Sequence, residues 1–161
     1  MIAAYPLEPP TPLQVTGVPR FQHLFRVAGG VDIDKSDFKR YTEFVNHKVH
    51  DLLLIGEATA SANGRDIIEP HDLPITKGLQ ECIHAFGRMK EDAGVEPLLD
   101  RLIARPPLDR ALSDETEARL PAIGGGLSVA LARMFKIVDP HQKNPDSEHW
   151  ERAFRLADLL L

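Results

Sequence analysis

Two histidines and an aspartate lie close together in the chain and have side chains that can bind a metal ion: His47, His50 and Asp51. His47 and Asp51 are four residues apart, so they share one face if the segment is helical. A zinc site normally needs at least three protein ligands, and the sequence places no third ligand beside this pair. We therefore interpret the pair as surface residues and predict no metal site.

Three consecutive glycines, Gly124 to Gly126, are the second feature with possible chemistry, because glycine-rich loops bind phosphate groups. Such a loop follows a strand and contains Gly-Lys-Ser or Gly-Lys-Thr, whereas this run lies in a helical pattern and precedes Leu127 and Ser128. Ser128 also lacks the strand that must precede a nucleophile elbow. We interpret the glycines as positions where two long helices cross closely. We predict neither enzymatic activity nor a bound cofactor.

The composition indicates a compact domain of slightly acidic character. The 161 residues carry a formal net charge of −5, and the pI is about 5.8, whereas DNA-binding domains are more often basic. A single cysteine, Cys82, excludes an internal disulfide and fits a reducing cytoplasm. The first residues lack the features of a signal peptide, and no apolar run approaches the ~18 residues of a membrane span. We therefore expect a cytoplasmic protein with no membrane partner.

Apolar residues that recur every three or four positions predict helices in the first half of the chain. The proline-rich residues 1–17 are predicted to form an extended arm, and a short helix is predicted to start at Pro19. A long helix is predicted over residues 37–63. Asp72 is predicted to cap a third helix whose first residue is Pro74.

The second half of the chain repeats this short-long-short order. A short helix is predicted over 96–104, a long helix over 114–137, and a final helix capped by Ser147. Each long helix carries an apolar stripe along its whole length, and a short helix cannot cover such a stripe. The sequence therefore predicts an all-α fold in which the helices at 37–63 and 114–137 cross near their middles.

Residues 19–88 resemble an archaeal-type histone. The motifs are Ala28-Gly29 at the end of the first helix, Ser36 before the second, and Gly64-Arg65-x-x-Ile68-x-Pro70-x-Asp72 after it. The full chain resembles a small bacterial family that fuses two histone folds in one polypeptide and whose function is uncharacterised. This resemblance implies a histone-fold pseudodimer around a shared core, with halves at 18–94 and, more divergent, 95–161. It also implies that Arg65 and Asp72 form a salt bridge that locks the loop to the third helix.

The resemblance also implies double-stranded DNA as a candidate partner, bound without sequence specificity and placing the protein at the nucleoid. The basic residues that could contact phosphates are Arg20, Lys35, Lys39 and Arg40. Carboxylates lie beside them, since Asp32 and Asp34 flank Lys35, and Asp66 and Glu69 lie in the loop after the long helix. Each carboxylate near a phosphate weakens the electrostatic attraction on which such binding depends.

The alternative hypothesis is a protein-interaction or oligomerisation scaffold that does not bind DNA. The chain ends in an apolar run, Leu159-Leu160-Leu161, which could cover the core or dock a second chain. The sequence leaves both hypotheses open.

Overall fold

The structure of the chain is a computed structural model that describes residues 12–161, with 12–16 and 90–93 described by their backbone only. In this part of the chain the helices are α1 Pro12–Gly29, α2 Phe38–Ala62, α3 Lys77–Ala93, α4 Glu96–Leu102, α5 Asp114–Val138 and α6 Ser147–Leu160. Two 3₁₀ turns, Lys35–Asp37 and Pro70–Asp72, and two short strands, β1 Ile67–Ile68 and β2 Ala111–Leu112, lie between them. The predicted all-α class is confirmed.

The first helix begins earlier than the sequence predicts. α1 starts at Pro12 and contains Pro19 in its interior, whereas the proline content predicts an extended arm over 1–17. That prediction is wrong from Pro12 onward, and residues 1–11 lie outside the described part of the chain. Proline suits the first helical position. At Pro19 it removes a helical hydrogen bond at a cost of about 3 kcal/mol, and α1 nevertheless continues to Gly29, with Phe21 fully buried.

The two long helices pack into a single core. α2 and α5 are each 25 residues long, and their buried residues belong to one hydrophobic cluster that includes both halves of the chain. The hydroxyl groups of Tyr41 on α2 and Ser128 on α5 form a buried hydrogen bond of 2.7 Å. Leu52 and Leu127, each near the middle of its helix, line the same small cavity. α2 and α5 therefore share one core, as the predicted crossing of these helices requires.

The glycines of α5 allow α3, not α2, to approach closely. A Cβ atom added to Gly125 would lie 2.3 Å from the ring of Phe86, and one added to Gly126 would lie 2.4 Å from the side chain of Ile83. Both neighbours are on α3. The glycines therefore allow a close helix contact, as predicted. The prediction that the contact is between the two long helices is wrong, because the partner of α5 at Gly125 and Gly126 is α3.

The third helix begins at Lys77, later than predicted. Thr76 caps it, because the Thr76 Oγ1 accepts a backbone N–H of the first turn at 3.2 Å. Leu73 has an extended backbone, with ψ at 130°, so the preceding 3₁₀ turn does not continue into α3. The prediction of a helix that starts at Pro74 under a cap from Asp72 is therefore wrong.

Four loops meet in pairs at the ends of the long helices. The loop after α2 pairs with the loop before α5 through the parallel strands β1 and β2. The loop before α2 meets the loop after α5, where the Asp32 N–H donates to the Lys143 carbonyl at 2.7 Å. We call the first pair, residues 63–73 with 104–113, the clamp end, and the second pair, residues 31–37 with 139–147, the lysine end.

α5 has the length and composition of a membrane-spanning helix. Its longest stretch without a charged residue, residues 120–132, is shorter than the ~18 residues of an apolar membrane span. In addition, 67% of its most apolar 18-residue window is buried inside the molecule, and α5 is packed by α1, α2, α3, α4 and α6. Its apolar character is therefore accounted for by its central place in the core.

Candidate functional site

The clamp end contains the salt bridge that the histone resemblance implies. Nη1 and Nη2 of Arg65 donate to the two carboxylate oxygens of Asp72 at 2.6 and 2.5 Å. The Asp72 side chain is fully buried, and 32% of the Arg65 side chain is exposed. Asp72 also accepts the backbone N–H of Glu69 at 2.8 Å. The hydrogen bonds from Arg65 are the largest of the effects that lower the pKa of Asp72 from 3.8 to about 2.

Other arginines of the clamp end are also engaged within the chain. The Nε of Arg110 donates to the carbonyl of Arg65 at 3.1 Å, and its backbone N–H donates to the Glu57 carboxylate at 2.8 Å. The guanidinium of Arg105 contacts the Glu117 carboxylate at 2.5 Å. Because these guanidinium groups hold the loop and the helix ends together, they are poorly placed to bind an external anion.

At the lysine end the carboxylates are engaged instead. Asp32 pairs with Arg26 at 2.7 Å. Asp37 accepts the backbone N–H of Asp34 at 3.0 Å, which closes the 3₁₀ turn in front of α2. Arg26 therefore partly neutralises Asp32, whereas Asp37 keeps its negative charge and Asp34 is exposed beside Lys35.

His149, in the first turn of α6, contacts the two carboxylates of the loop that precedes this helix. Its Nε2 lies 3.3 Å from Asp139, and its Nδ1 lies 2.7 Å from Asp146. The side-chain hydrogen bond from His149 is the largest cause of the lowered pKa of Asp139, and the backbone N–H of His149 is the largest cause for Asp146. Asp146 caps α6 by accepting that N–H at 3.0 Å, one residue before the cap predicted at Ser147.

Two exposed lysines belong to the loops that meet at the lysine end, Lys35 and Lys143. The methylene chain of Lys136 lies beside Gly30, since a Cβ atom on that glycine would be 3.3 Å from its Cε. Sequence reasoning missed Lys143. The repeated short-long-short order could have indicated it. In that order the loop of Lys143, which follows α5, is equivalent to the loop that follows α2 in the first half.

The structure separates the residues predicted to contact phosphates, which are Arg20, Lys35, Lys39 and Arg40. Lys35 lies in the lysine end, and Lys39 and Arg40 follow it in the first turn of α2. The guanidinium of Arg40 donates to the Ser147 hydroxyl at 2.8 Å, which ties α2 to the start of α6. Arg20 lies elsewhere and donates to the Gly94 carbonyl between α3 and α4 at 3.1 Å.

A third cluster lies where α2 meets α6. His47 and Asp51 are joined by Asp158, and the ligand atoms of the three side chains all lie within 4.8 Å of one another. The Nζ of Lys48 forms ion pairs with Asp158 and, at 3.8 Å, with Asp51. An adjoining cleft of about 560 Å³ is lined in part by His47 and Asp158. The structure thus places a third potential ligand beside a pair that the sequence interpretation treats as surface residues.

A separate cleft of about 630 Å³ lies between the Pro70–Asp72 turn, α3 and α5. Arg119 and His84 contribute to its polar rim, as do Glu69 and Glu115. Because basic and acidic groups share this rim, the cleft does not select a ligand of one charge.

Comparison with known proteins identifies the family. The model of a family described as a domain of unknown function, DUF1931, matches residues 21–158. An uncharacterised protein of Aquifex aeolicus (strain VF5) is 29% identical over 150 residues, which cover 93% of this chain and 87% of that protein.

Two solved structures share the fold. A crystal structure of a protein from Thermus thermophilus has a TM-score of 0.80 and 48% identity, covering 89% of this chain and 97% of that one. A 1.9 Å crystal structure of an Aquifex aeolicus protein has a TM-score of 0.79 and 28% identity, covering 90% and 95%. The resemblance to an uncharacterised bacterial family is thus confirmed, and the protein belongs to the DUF1931 family of unknown function.

Proposed function

We propose that this protein is a single-chain histone-fold pseudodimer, with halves at residues 18–94 and 95–161. Two features support this reading. The order of short, long and short helices occurs twice, and both long helices have the same length. The loops are also paired reciprocally, because the loop after each long helix meets the loop before the other. Reciprocal pairing is the pattern that a two-fold relation between the halves produces.

As its function we propose weak, non-sequence-specific binding of double-stranded DNA through the lysine end, in the cytoplasm, without catalysis. The observation that carries this proposal is the contact between Asp32 and Lys143, which brings the loops of Lys35 and Lys143 together. The neighbouring carboxylates are held by Arg26 and by His149. The ammonium groups of Lys35 and Lys143 are therefore exposed on adjoining loops, where the guanidinium of Arg26 partly neutralises Asp32.

The charge of the whole chain limits the affinity of such a site. About four cations, Lys35, Lys39, Arg40 and Lys143, lie at or beside the lysine end, and contacts of that number give a log–log salt slope of roughly −3 to −4. The net charge of −5 opposes approach to a polyanion. We therefore expect a dissociation constant on the order of micromolar or weaker, and strong loss of binding with added salt.

Fluorescence anisotropy of a labelled duplex of about 30 base pairs, titrated at several salt concentrations, tests this function. Lys143→Glu is expected to weaken binding at least about fivefold and to reduce the salt slope by about one. Lys77→Glu is the matched control, because Lys77 is exposed on α3 and the reversal changes the net charge equally. Absence of binding at low salt, or equal losses in the two variants, would contradict the proposed surface.

The alternative function, a protein-interaction or self-association scaffold that does not bind DNA, is favoured by the exposed apolar residues at the C-terminal end of α6. Leu159 and Leu160 are 79% and 60% exposed, and Ile55 on α2 is 52% exposed. Sedimentation velocity over a range of protein concentrations distinguishes this function. A dimer that Leu159→Ser dissociates would favour the scaffold, and a monomer at all concentrations would remove self-association.

A further inference from the structure

We propose that His47, Asp51 and Asp158 bind a single transition-metal dication of the zinc class. The three ligand atoms lie within 4.8 Å of one another. The Nε2 of His47 and the Oδ2 of Asp51 are 3.6 Å apart. Metal–ligand bonds of about 2.0–2.1 Å in a tetrahedral site place neighbouring ligand atoms roughly 3.3–3.5 Å apart. Small side-chain rotations are therefore enough to bring the three groups onto one ion.

The ligand types select the chemical class of the ion. One imidazole nitrogen with two carboxylate oxygens suits zinc and its neighbours, whereas magnesium and calcium sites are built from oxygen ligands. Three protein ligands leave a position for water or another group, and the adjoining cleft of about 560 Å³ gives space for it beside His47 and Asp158. The expected ion is therefore one that accepts mixed nitrogen and oxygen ligands.

The two helices hold the backbones of the three ligand residues in position without the ion. His47 and Asp51 lie on successive turns near the middle of α2. Asp158 lies on α6, which is held against α2 by the stacked rings of Phe44 and Phe154, with centroids 5.4 Å apart and planes 7° apart. Binding therefore needs no movement of the helices and orders only the exposed side chains of the ligands, such as His47 and Asp158 at 68% and 62% exposure.

Lys48 is the feature that sets the strength of this site. Its side chain is only 8% exposed, and its ammonium group pairs with both carboxylates of the cluster, Asp51 and Asp158. A dication bound to the same carboxylates is repelled by this ammonium group and competes with it. The native chain should therefore bind the metal weakly, and removal of the ammonium charge should strengthen binding.

Isothermal titration of the full chain, free of any purification tag, with ZnCl₂ tests the site, and visible absorption of the Co²⁺ form reports the coordination. We expect saturable binding of one ion per chain. His47→Ala and Asp158→Asn should each weaken it at least tenfold. His50→Ala is the control, because His50 lies on the same helix outside the three ligands, and it should leave the affinity unchanged.

Lys48→Met gives a second, opposite test, because it keeps the apolar stem and removes the charge. It should tighten zinc binding at least tenfold. The proposal is overturned if neither the native chain nor Lys48→Met binds zinc, or if His47→Ala binds as tightly as the native chain. All the variants change the cluster where α2 meets α6 and not the lysine end, so failure here and failure of DNA binding are separate results.

Discussion

The clamp end and the lysine end are built from the same parts, a loop that follows one long helix and a loop that precedes the other. They differ in which charges they use to hold themselves together. The clamp end engages its guanidinium groups, since Arg65 binds Asp72 and Arg110 binds the Arg65 carbonyl. The lysine end engages its carboxylates, because Arg26 and His149 bind three of them.

On the proposed DNA binding, this difference leaves the ammonium groups of Lys35 and Lys143 exposed at one end of an acidic chain. An approaching anion interacts with the charged groups that have no partner within the folded loop. The total number of charges in the loop is a poorer guide to this interaction. Charged residues at the flanking helix ends increase the difference in charge between the lysine end and the clamp end. They are Lys39, Arg40, Lys136 and the acidic Glu148 at the lysine end, and Glu57, Asp114, Glu115 and Glu117 at the clamp end.

The largest effect is expected from breaking the clamp. Asp72→Ala removes a buried carboxylate that accepts two bonds from Arg65 and one from Glu69. It should lower the free energy of unfolding by about 2–3 kcal/mol, since partners of a buried pair are left unsatisfied. In a chain of this size, that corresponds to a fall in Tm of roughly 5–10 °C by calorimetry.

Arginine variants compare the two ends directly. Arg65→Ala should lower Tm more than Arg40→Ala, because Arg65 neutralises a buried carboxylate whereas Arg40 makes an exposed hydrogen bond to the Ser147 hydroxyl. Equal shifts in Tm would mean that the clamp is no more important to stability than an ordinary surface contact.

A smaller difference is expected in the response to acid. Folding lowers the pKa of Asp72 from 3.8 to about 2, so its stabilisation is fully present above about pH 4 and is lost as the pH falls towards 2. The pKa of Asp146 is also lowered, so its contribution has the same sign, but its side chain is exposed. Urea denaturation at about pH 5 and pH 2.5 should show that Asp72→Asn removes more of the acid-induced loss than Asp146→Asn. The opposite order would place the stronger clamp at the lysine end.

Much of the fold could be predicted because local signals and packing agree in the long helices. The predicted ranges 37–63 and 114–137 match α2 and α5 closely, since each carries an uninterrupted apolar stripe. The starts of α1 and α3 could not be placed, because prolines near them are compatible with more than one start. Pro19 is compatible with a helix start and with a tolerated interior position, and only the packing of the neighbouring residues decides between them.

The candidate sites show the same limit more strongly. The Arg65–Asp72 pair could be predicted from the resemblance to the histone motif, and a spacing of seven residues in one loop is compatible with it. Asp158 could not be assigned to the cluster of His47 and Asp51, since it lies on α6 and meets them only through the packing of α6 against α2. Spacing along the chain identifies sites within one element, and sites between elements require their arrangement in space.

The smallest expected effect comes from giving the clamp end the charge that it lacks, and this test rests on the proposed DNA binding. Asp66 is exposed beside Arg65, so Asp66→Lys changes the surface without breaking the clamp. A new phosphate contact there should steepen the log–log salt slope by about 0.9 and tighten binding roughly two- to fivefold at low salt. Glu81→Lys on α3 is the control of equal charge change, because Glu81 is also exposed. If both variants tighten binding equally, net charge governs the affinity, and the contrast between the two ends does not determine where DNA is held.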